Sequence, residues 1–327
     1  LRFICHKAQN SLKQKAVIFL SQSVFFLILP KKMNFSLSFF TFLFLAVSPL
    51  FLAQTKDESE IPFEEPKTFS SSRIINGHSN ETLSKGTYEM RIEHRFGDFS
   101  GPNGGYQNMF GFDYLSDMRI AIEYGVSDKF MLGLGRSKGT GAPYRSLLDG
   151  FLKYKVLEQK KGSMPLSMTV ISGSSFTYMK SSTLQSDVSF FPKASHRLAY
   201  FTQLNLAKHF GERFSLALVP TLLHRNYVTQ NDQNTLFALG SAFRLKISSR
   251  FAILAEYYHV FHNEQFRPSS FYKNSLGIAL EWFTFGHNFT VNFTNSGGLG
   301  ETQFIPYTTE NWLKGQFRFG FCVARKF

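Results

Sequence analysis

The densest run of chemically capable side chains in this 327-residue chain is Glu89, Arg91, Glu93 and Arg95. Carboxylate and guanidinium alternate at a spacing of two. In an extended strand, residues i and i+2 share a face, so all four charges lie on one side. Tyr88, Met90, Ile92 and Phe96 lie on the other, with His94 among them. Such an ionic face has two uses. Opposite charges on neighbouring strands stabilise each other by roughly 0.2–1 kcal/mol per pair, or the charges line a polar passage. The same inward parity on later segments adds Arg119, Glu123, Lys153, Arg244, Glu256, Glu281 and Arg318. The signs are mixed. A salt-bridged, largely closed interior and a narrow, weakly selective channel for small polar solutes therefore stand side by side.

Catalytic chemistry has less to work with. His94, His224 and His259 fall near loop ends and His287 at a short turn, and no pair shows a His-x-x-x-His spacing. The two cysteines are Cys5 and Cys322, so no Cys-based metal site is available. No metal or cofactor is expected. A lipid hydrolase, of lipase or lipid-A deacylase type, needs a serine within hydrogen-bond reach of a histidine. His94 with Ser100 or Ser116 is the nearest approach to such a pair, and nothing in the spacing singles it out. The hydrolase is the alternative to a non-enzymatic reading. Gly104-Gly105 and Gly297-Gly298 sit in long loops with no helix expected after them, so they are not read as phosphate cradles.

These side chains need strands to position them. Alternation predicts about twelve, at 86–96, 117–125, 130–137, 149–157, 165–176, 196–208, 214–227, 235–248, 251–262, 274–284, 286–295 and 315–327. Leu276, Ile278, Leu280 and Trp282 form one clean apolar face, and Phe289, Val291 and Phe293 another. The strand at 149–157 is poorer, with Phe151 on its polar face. Pro220 removes a ladder donor, which a bulge would reconcile. Short connections follow the second, sixth, eighth and tenth strands, and long Gly-, Ser- and Asn-rich ones follow the first, third, fifth, ninth and eleventh. Asp128-Lys-Phe130, Glu212-Arg-Phe214 and Ser249-Arg-Phe251 each close a short turn. The chain finishes on Phe319, Phe321, Val323 and Phe327, an apolar face broken by Arg325, of the kind recognised by barrel-insertion machinery. Together these features describe an all-β, closed antiparallel up-and-down transmembrane β-barrel of the outer membrane. A soluble β-sandwich with paired apolar faces is the competing architecture.

The 39 Phe and 17% aromatic content suit an alternating, lipid-facing wall. Met33 is the first methionine, so residues 1–32 read as an upstream extension and 33–53 as a signal peptide cleaved after Ala53. Residues 54–85 read as a flexible periplasmic arm or plug, and 86–327 as the barrel. Within the arm, Arg73, Ile74, Ile75, Asn76, Gly77 and His78 are read first as a turn leading into the first strand, and second as a plug entering the lumen. Setting aside the six basic residues of 1–53 lowers the net charge from +13 to +7. That surplus suits outer-membrane lipid and lipopolysaccharide. There is no basic block with interleaved aromatics, which argues against nucleic acid. An oligomeric state is not legible.

Several stretches carry a resemblance: Arg73 to His78, His94 to Gly97, Met118 to Lys129 with Gly133 to Ser137, and Asp149 to Tyr154. In these the chain resembles a family of bacterial outer-membrane β-barrels of unknown function, over most of residues 70–327 and best in the first half. The resemblance implies the barrel and its membrane, and brings no catalytic residue.

Overall fold

The computed structural model describes residues 68–327, except 140–142, 230–231 and 285. The expected upstream extension, the signal peptide and residues 54–67 of the arm lie outside the described residues. Twelve strands follow one another: β1 (Tyr88–Asp98), β2 (Leu115–Ser127), β3 (Phe130–Gly139), β4 (Leu147–Leu157), β5 (Ser167–Thr177), β6 (Leu198–Phe210), β7 (Phe214–Arg225), β8 (Thr235–Lys246), β9 (Phe251–Phe261), β10 (Ser275–Thr284), β11 (His287–Thr294) and β12 (Arg318–Lys326). Each boundary lies within three residues of its expected place. Every strand pairs antiparallel with its sequence neighbours, and β1 pairs with β12 from Glu89↔Lys326 to Arg95↔Gly320, which closes the barrel. Among the described residues no edge strand remains to seek a partner.

The alternation arises because lipid touches one face of each strand and the interior touches the other. Exposed Met90, Ile122, Leu134, Leu152, Leu218 and Leu280 belong to the outer wall. Aromatics concentrate toward its ends. Phe130, Phe214 and Phe251 each open an upward strand after a short turn, and Phe251 stacks near Trp282 at that rim (6.1 Å). At the long-loop rim Phe96, Phe112 and Phe319 cluster with centroids 4.9–5.5 Å apart. Two aromatic belts are the expected boundary of a lipid band.

Pro220 does not introduce a bulge. The β6–β7 pairing is interrupted between Gln203↔Thr221 and Leu206↔Leu218, and the register is the same on both sides of the gap. Phe151 points inward, as its parity requires, and is buried. The interior is also less polar than expected: Met131, Ile171, Val219, Leu223 and Leu254 are buried there. The reason is that protein, not water, occupies the lumen. Residues 68–85 form a hairpin whose residues 68–80 are buried inside the barrel and whose return limb reaches the short-turn rim, and the β11–β12 loop carries a short helix, α1 (Glu301–Tyr307), whose first six residues are buried.

Candidate functional site: a lumen plugged from both ends

The hairpin rises from the short-turn end, reverses at Arg73–His78 and descends to β1. Ser70 donates to Glu281 of β10 on the way up, and Thr82 donates to the Asp128 carbonyl on the way down (2.8 Å). An Arg73↔His78 bridge and an Ile74 N–H to Gly77 C=O bond (2.9 Å) close the tip. Three successive backbone N–H groups then point outward and donate to one carboxylate, Glu256 of β9: Ile75 at 3.3 Å, Asn76 at 3.0 Å and Gly77 at 3.0 Å. This is a backbone nest with a buried anion seated in it. Gly77 is required by close approach, since a Cβ there would lie 2.1 Å from the Tyr258 hydroxyl.

The wall answers the hairpin in two chemical languages. On the β1–β4 side it is ionic. Arg91 donates to Ser71 Oγ (2.7 Å) and pairs with Glu89 (2.9 Å). Arg119 bridges Glu93 (2.7 Å) and Asp149 (2.6 Å). Lys153 donates to the carbonyls of Ser72, Ser79 and Glu81 at 2.7, 3.2 and 3.1 Å. On the β6–β10 side, between the buried Glu256 and Glu281, it carries an apolar patch: Ile74 and Ile75 pack among Ala207, Val219, Ala242, Leu254 and Ala279. Buried charges tolerate this setting only when paired or hydrogen-bonded.

From the long-loop end α1 descends to meet the tip. Phe304 and Ile305 pack with Leu223, Leu236, Tyr258 and Val260, and Thr302 bonds Ser175 (2.8 Å). A latch holds the helix in the mouth: Asp232 pairs with both Arg225 (3.0 Å) and Arg267, and Arg267 donates to the Pro306 carbonyl. The two inserted segments touch at Arg73, which reaches Glu301 at 2.9 Å and Glu93 at 3.8 Å. Arg95 spans the same junction, donating to Asn76 Oδ1 (2.9 Å) and to the Ser296 carbonyl (2.8 Å). His78 lies beside it, 3.7 Å from Glu301 and packed on Phe151. Burial, then the charges of Arg73 and Lys153, hold the His78 pKa well below its ordinary value. Burial raises that of Glu301.

Ten of the eleven side chains assigned from sequence to the inner face are buried there: Glu89, Arg91, Glu93, Arg95, Arg119, Glu123, Lys153, Arg244, Glu256 and Glu281. Arg318 is half-buried and pairs with Glu310 of the β11–β12 loop. Residues around an open bore would keep accessible surface, yet Arg119, Glu123 and Lys153 keep none. A cavity of about 10 Å³ beside His78, Asp149 and Glu301 has room for about one water. The Arg73–His78 segment is buried within the barrel.

The family model for a membrane-bound β-barrel domain (DUF5777) matches residues 69–327. The chain belongs to this family. Its closed wall with a lipid-facing exterior places it in the outer membrane. Among functionally described proteins none shows significant sequence similarity to the chain. Among solved structures, the NanC porin is 9% identical at a TM-score of 0.46, over 72% of this chain and 97% of that one. The KdgM porin is 11% identical at 0.42, over 74% and 99%. An outer membrane channel, COG4313, from Pseudomonas putida F1 is 14% identical at 0.40, over 76% and 98%. These are likenesses between barrels and say nothing of what passes through this one.

The serine–histidine arrangement weighed from sequence does not form. His94 faces outward against Phe321 (5.4 Å), while Ser116 lies buried and donates to the Gly297 carbonyl and Ser100 to that of Gly315. Among the described residues no cluster of His, Cys, Asp or Glu has metal-binding geometry. A helix does follow Gly297-Gly298, contrary to expectation, but the Gln303 side chain accepts from the Leu299 and Gly300 N–H groups. Phe319, Phe321 and Val323 lie on the outer face of β12, and the Phe327 backbone pairs with Tyr88 at the seam. Asp149 and Tyr258 share the inward parity of Lys153 and Glu256 and could have been found that way. Arg267, Asp232 and Glu301 lie on loops, where no period marks them.

Proposed function

We propose that this protein is a non-enzymatic, gated outer-membrane channel for small polar solutes, held shut by the 68–85 hairpin and α1. The observation that carries the reading is the means of closure. About eight strands already fill with their own side chains. Twelve strands enclose more, and here the extra space is filled by two inserted segments that meet at Arg73–Glu301. The ionic ring binds the hairpin largely through hydrogen bonds to its backbone and hydroxyls, which water can replace.

A second reading, a permanently closed structural component of the envelope, draws on the apolar seat of Ile74 and Ile75, which withdrawal would wet. Planar-bilayer recording separates the two. The full chain is expected to be silent or nearly so, and a variant lacking residues 68–81 is expected to show stepwise conductance. A deletion variant that keeps its β-sheet circular dichroism and heat-modifiable mobility yet stays silent would refute the channel.

A further inference from the structure

Charged side chains are rare on the lipid-facing wall. Lys208 and Arg325 occupy its short-turn rim, where each lies over a neighbouring phenylalanine ring, Phe210 (5.1 Å) and Phe327 (5.0 Å). The other two, Arg136 and Lys138, are both on β3 near the long-loop rim, outward and exposed. Arg136 sits opposite Ile120 of β2 and Leu148 of β4, both exposed apolar residues. Its guanidinium lies 5.6 Å from the ring of Tyr178, just beyond β5. The Tyr178 N–H is bonded to the Ser146 carbonyl (2.9 Å), which brings exposed Arg145 to the same place, and exposed Lys180 follows two residues on. Among the described residues, Arg136, Lys138, Arg145 and Lys180 make no ion pair. Near the interface such cations cost little, and with no carboxylate partner they are free to meet the anionic groups of the leaflet.

A second feature lies on the same wall. Where the β6–β7 pairing is interrupted, Leu204, Pro220, Leu222, Phe237, Leu239 and Val170 line an almost wholly apolar groove of about 480 Å³. β5 connects the two features. Its outward residues run from Val170 in the groove through the small Ser172 and Ser174 to Phe176, with Tyr178 beneath the cations. Gly150 and Thr202, also small, sit opposite Ser174 and Ser172. The wall thus offers an anion site at the rim and a shallow path over small side chains leading down from it to the apolar groove.

We infer that this face binds a phosphorylated, acylated lipid of the outer leaflet: Arg136, Lys138, Arg145 and Lys180 hold its phosphate, and an acyl chain follows β5 into the groove at Pro220. The site lies outside the barrel and is independent of whether the lumen opens. Its occupant is a lipid and not free phosphate, because both halves of the site are needed to account for it.

The test uses the full chain in detergent, with bisphosphorylated lipid A as the probe and native mass spectrometry as the readout. The wild type is expected to retain lipid A. Arg136→Gln with Lys138→Gln is expected to weaken retention about 30-fold, as loss of two membrane-proximal cations implies. Thr202→Trp, which fills the path without touching charge, is expected to weaken it as well. Lys208→Gln with Arg325→Gln at the opposite rim is expected to change nothing, and all variants should keep heat-modifiable mobility. Equal retention by wild type and Arg136→Gln/Lys138→Gln would overturn the inference. So would equal retention of dephosphorylated lipid A, or displacement of lipid A by millimolar inorganic phosphate alone.

Discussion

At the scale of single residues, the junction of the two plugs carries a pH response whose sign can be worked out. His78 is buried against Phe151 and faces Arg73, Lys153 and Glu301, with Asp149 across the small cavity. In the closed state its pKa lies well below 6.5. In a hairpin withdrawn into water it would return to about 6.5. As pH falls below that value the withdrawn state takes up more protons than the closed one, so acid favours withdrawal. Glu301 works in the opposite sense. Its closed-state pKa is raised above 4.5 by burial, so between 4.5 and the raised value the closed state holds the extra proton and acid favours closure. Open probability in bilayers should therefore rise between about pH 7.5 and 5.5, and Glu301→Gln should remove the opposing contribution at lower pH. His78→Gln should flatten the response. An unchanged response in that variant would remove His78 from the gate.

At the scale of elements, α1 is too short to be stable by itself and is held by what surrounds it. Asp232 neutralises two guanidinium groups at once, Arg225 and Arg267, and Arg267 is the one that reaches the helix. Removing one partner of a buried ion pair costs about 3–5 kcal/mol, because the remaining charge is stranded. Asp232→Ala should therefore free α1, with chymotryptic cleavage at Phe304 or Tyr307 accelerating while the wall stays resistant. Cleavage at the wild-type rate would mean the packing of Phe304 and Ile305 suffices. The strands were legible in the sequence for a reason that does not extend to this helix. Lipid imposes a period of two along every strand, so faces such as Leu276–Trp282 can be read off. Nothing periodic acts on α1: its seven residues include Pro306, and its shape answers to the cavity that it fills. The hairpin tip is similar. Its residues read from the sequence as a turn before β1, but their fit to Glu256 depends on three backbone N–H groups, and backbone groups leave no trace in side-chain pattern. The ionic residues on β1 were visible because parity and charge coincide there. Val219 and Leu254 break the polar inward rule because the lumen at that side is a packed core.

For the whole molecule, the interior grips the hairpin in two ways: ionic side chains on β1–β4, with Glu256 and Glu281, hold its polar groups, and an apolar patch on β6–β10 seats its isoleucines. Either alone has a plain account, but the pair constrains how the molecule can move. An apolar seat opposes withdrawal, whereas hydrogen bonds to water-exchangeable groups permit it, so opening must lift Ile74 and Ile75 away from Ala279 and Leu254. A covalent lock at that seat tests this directly. A Cβ built on Gly277 of β10 would lie 3.2 Å from Ile75 Cγ2, so a sulfur standing where that methyl stands would be within reach of a cysteine introduced at Gly277. In a Cys322→Ser background, which removes the buried thiol beside Arg91, Ile75→Cys with Gly277→Cys should cross-link on oxidation. Acid-evoked conductance should vanish in the oxidised protein and return on reduction. If mass spectrometry confirms the cross-link and conductance persists, ions pass without moving the hairpin, and closure must reside in α1 alone.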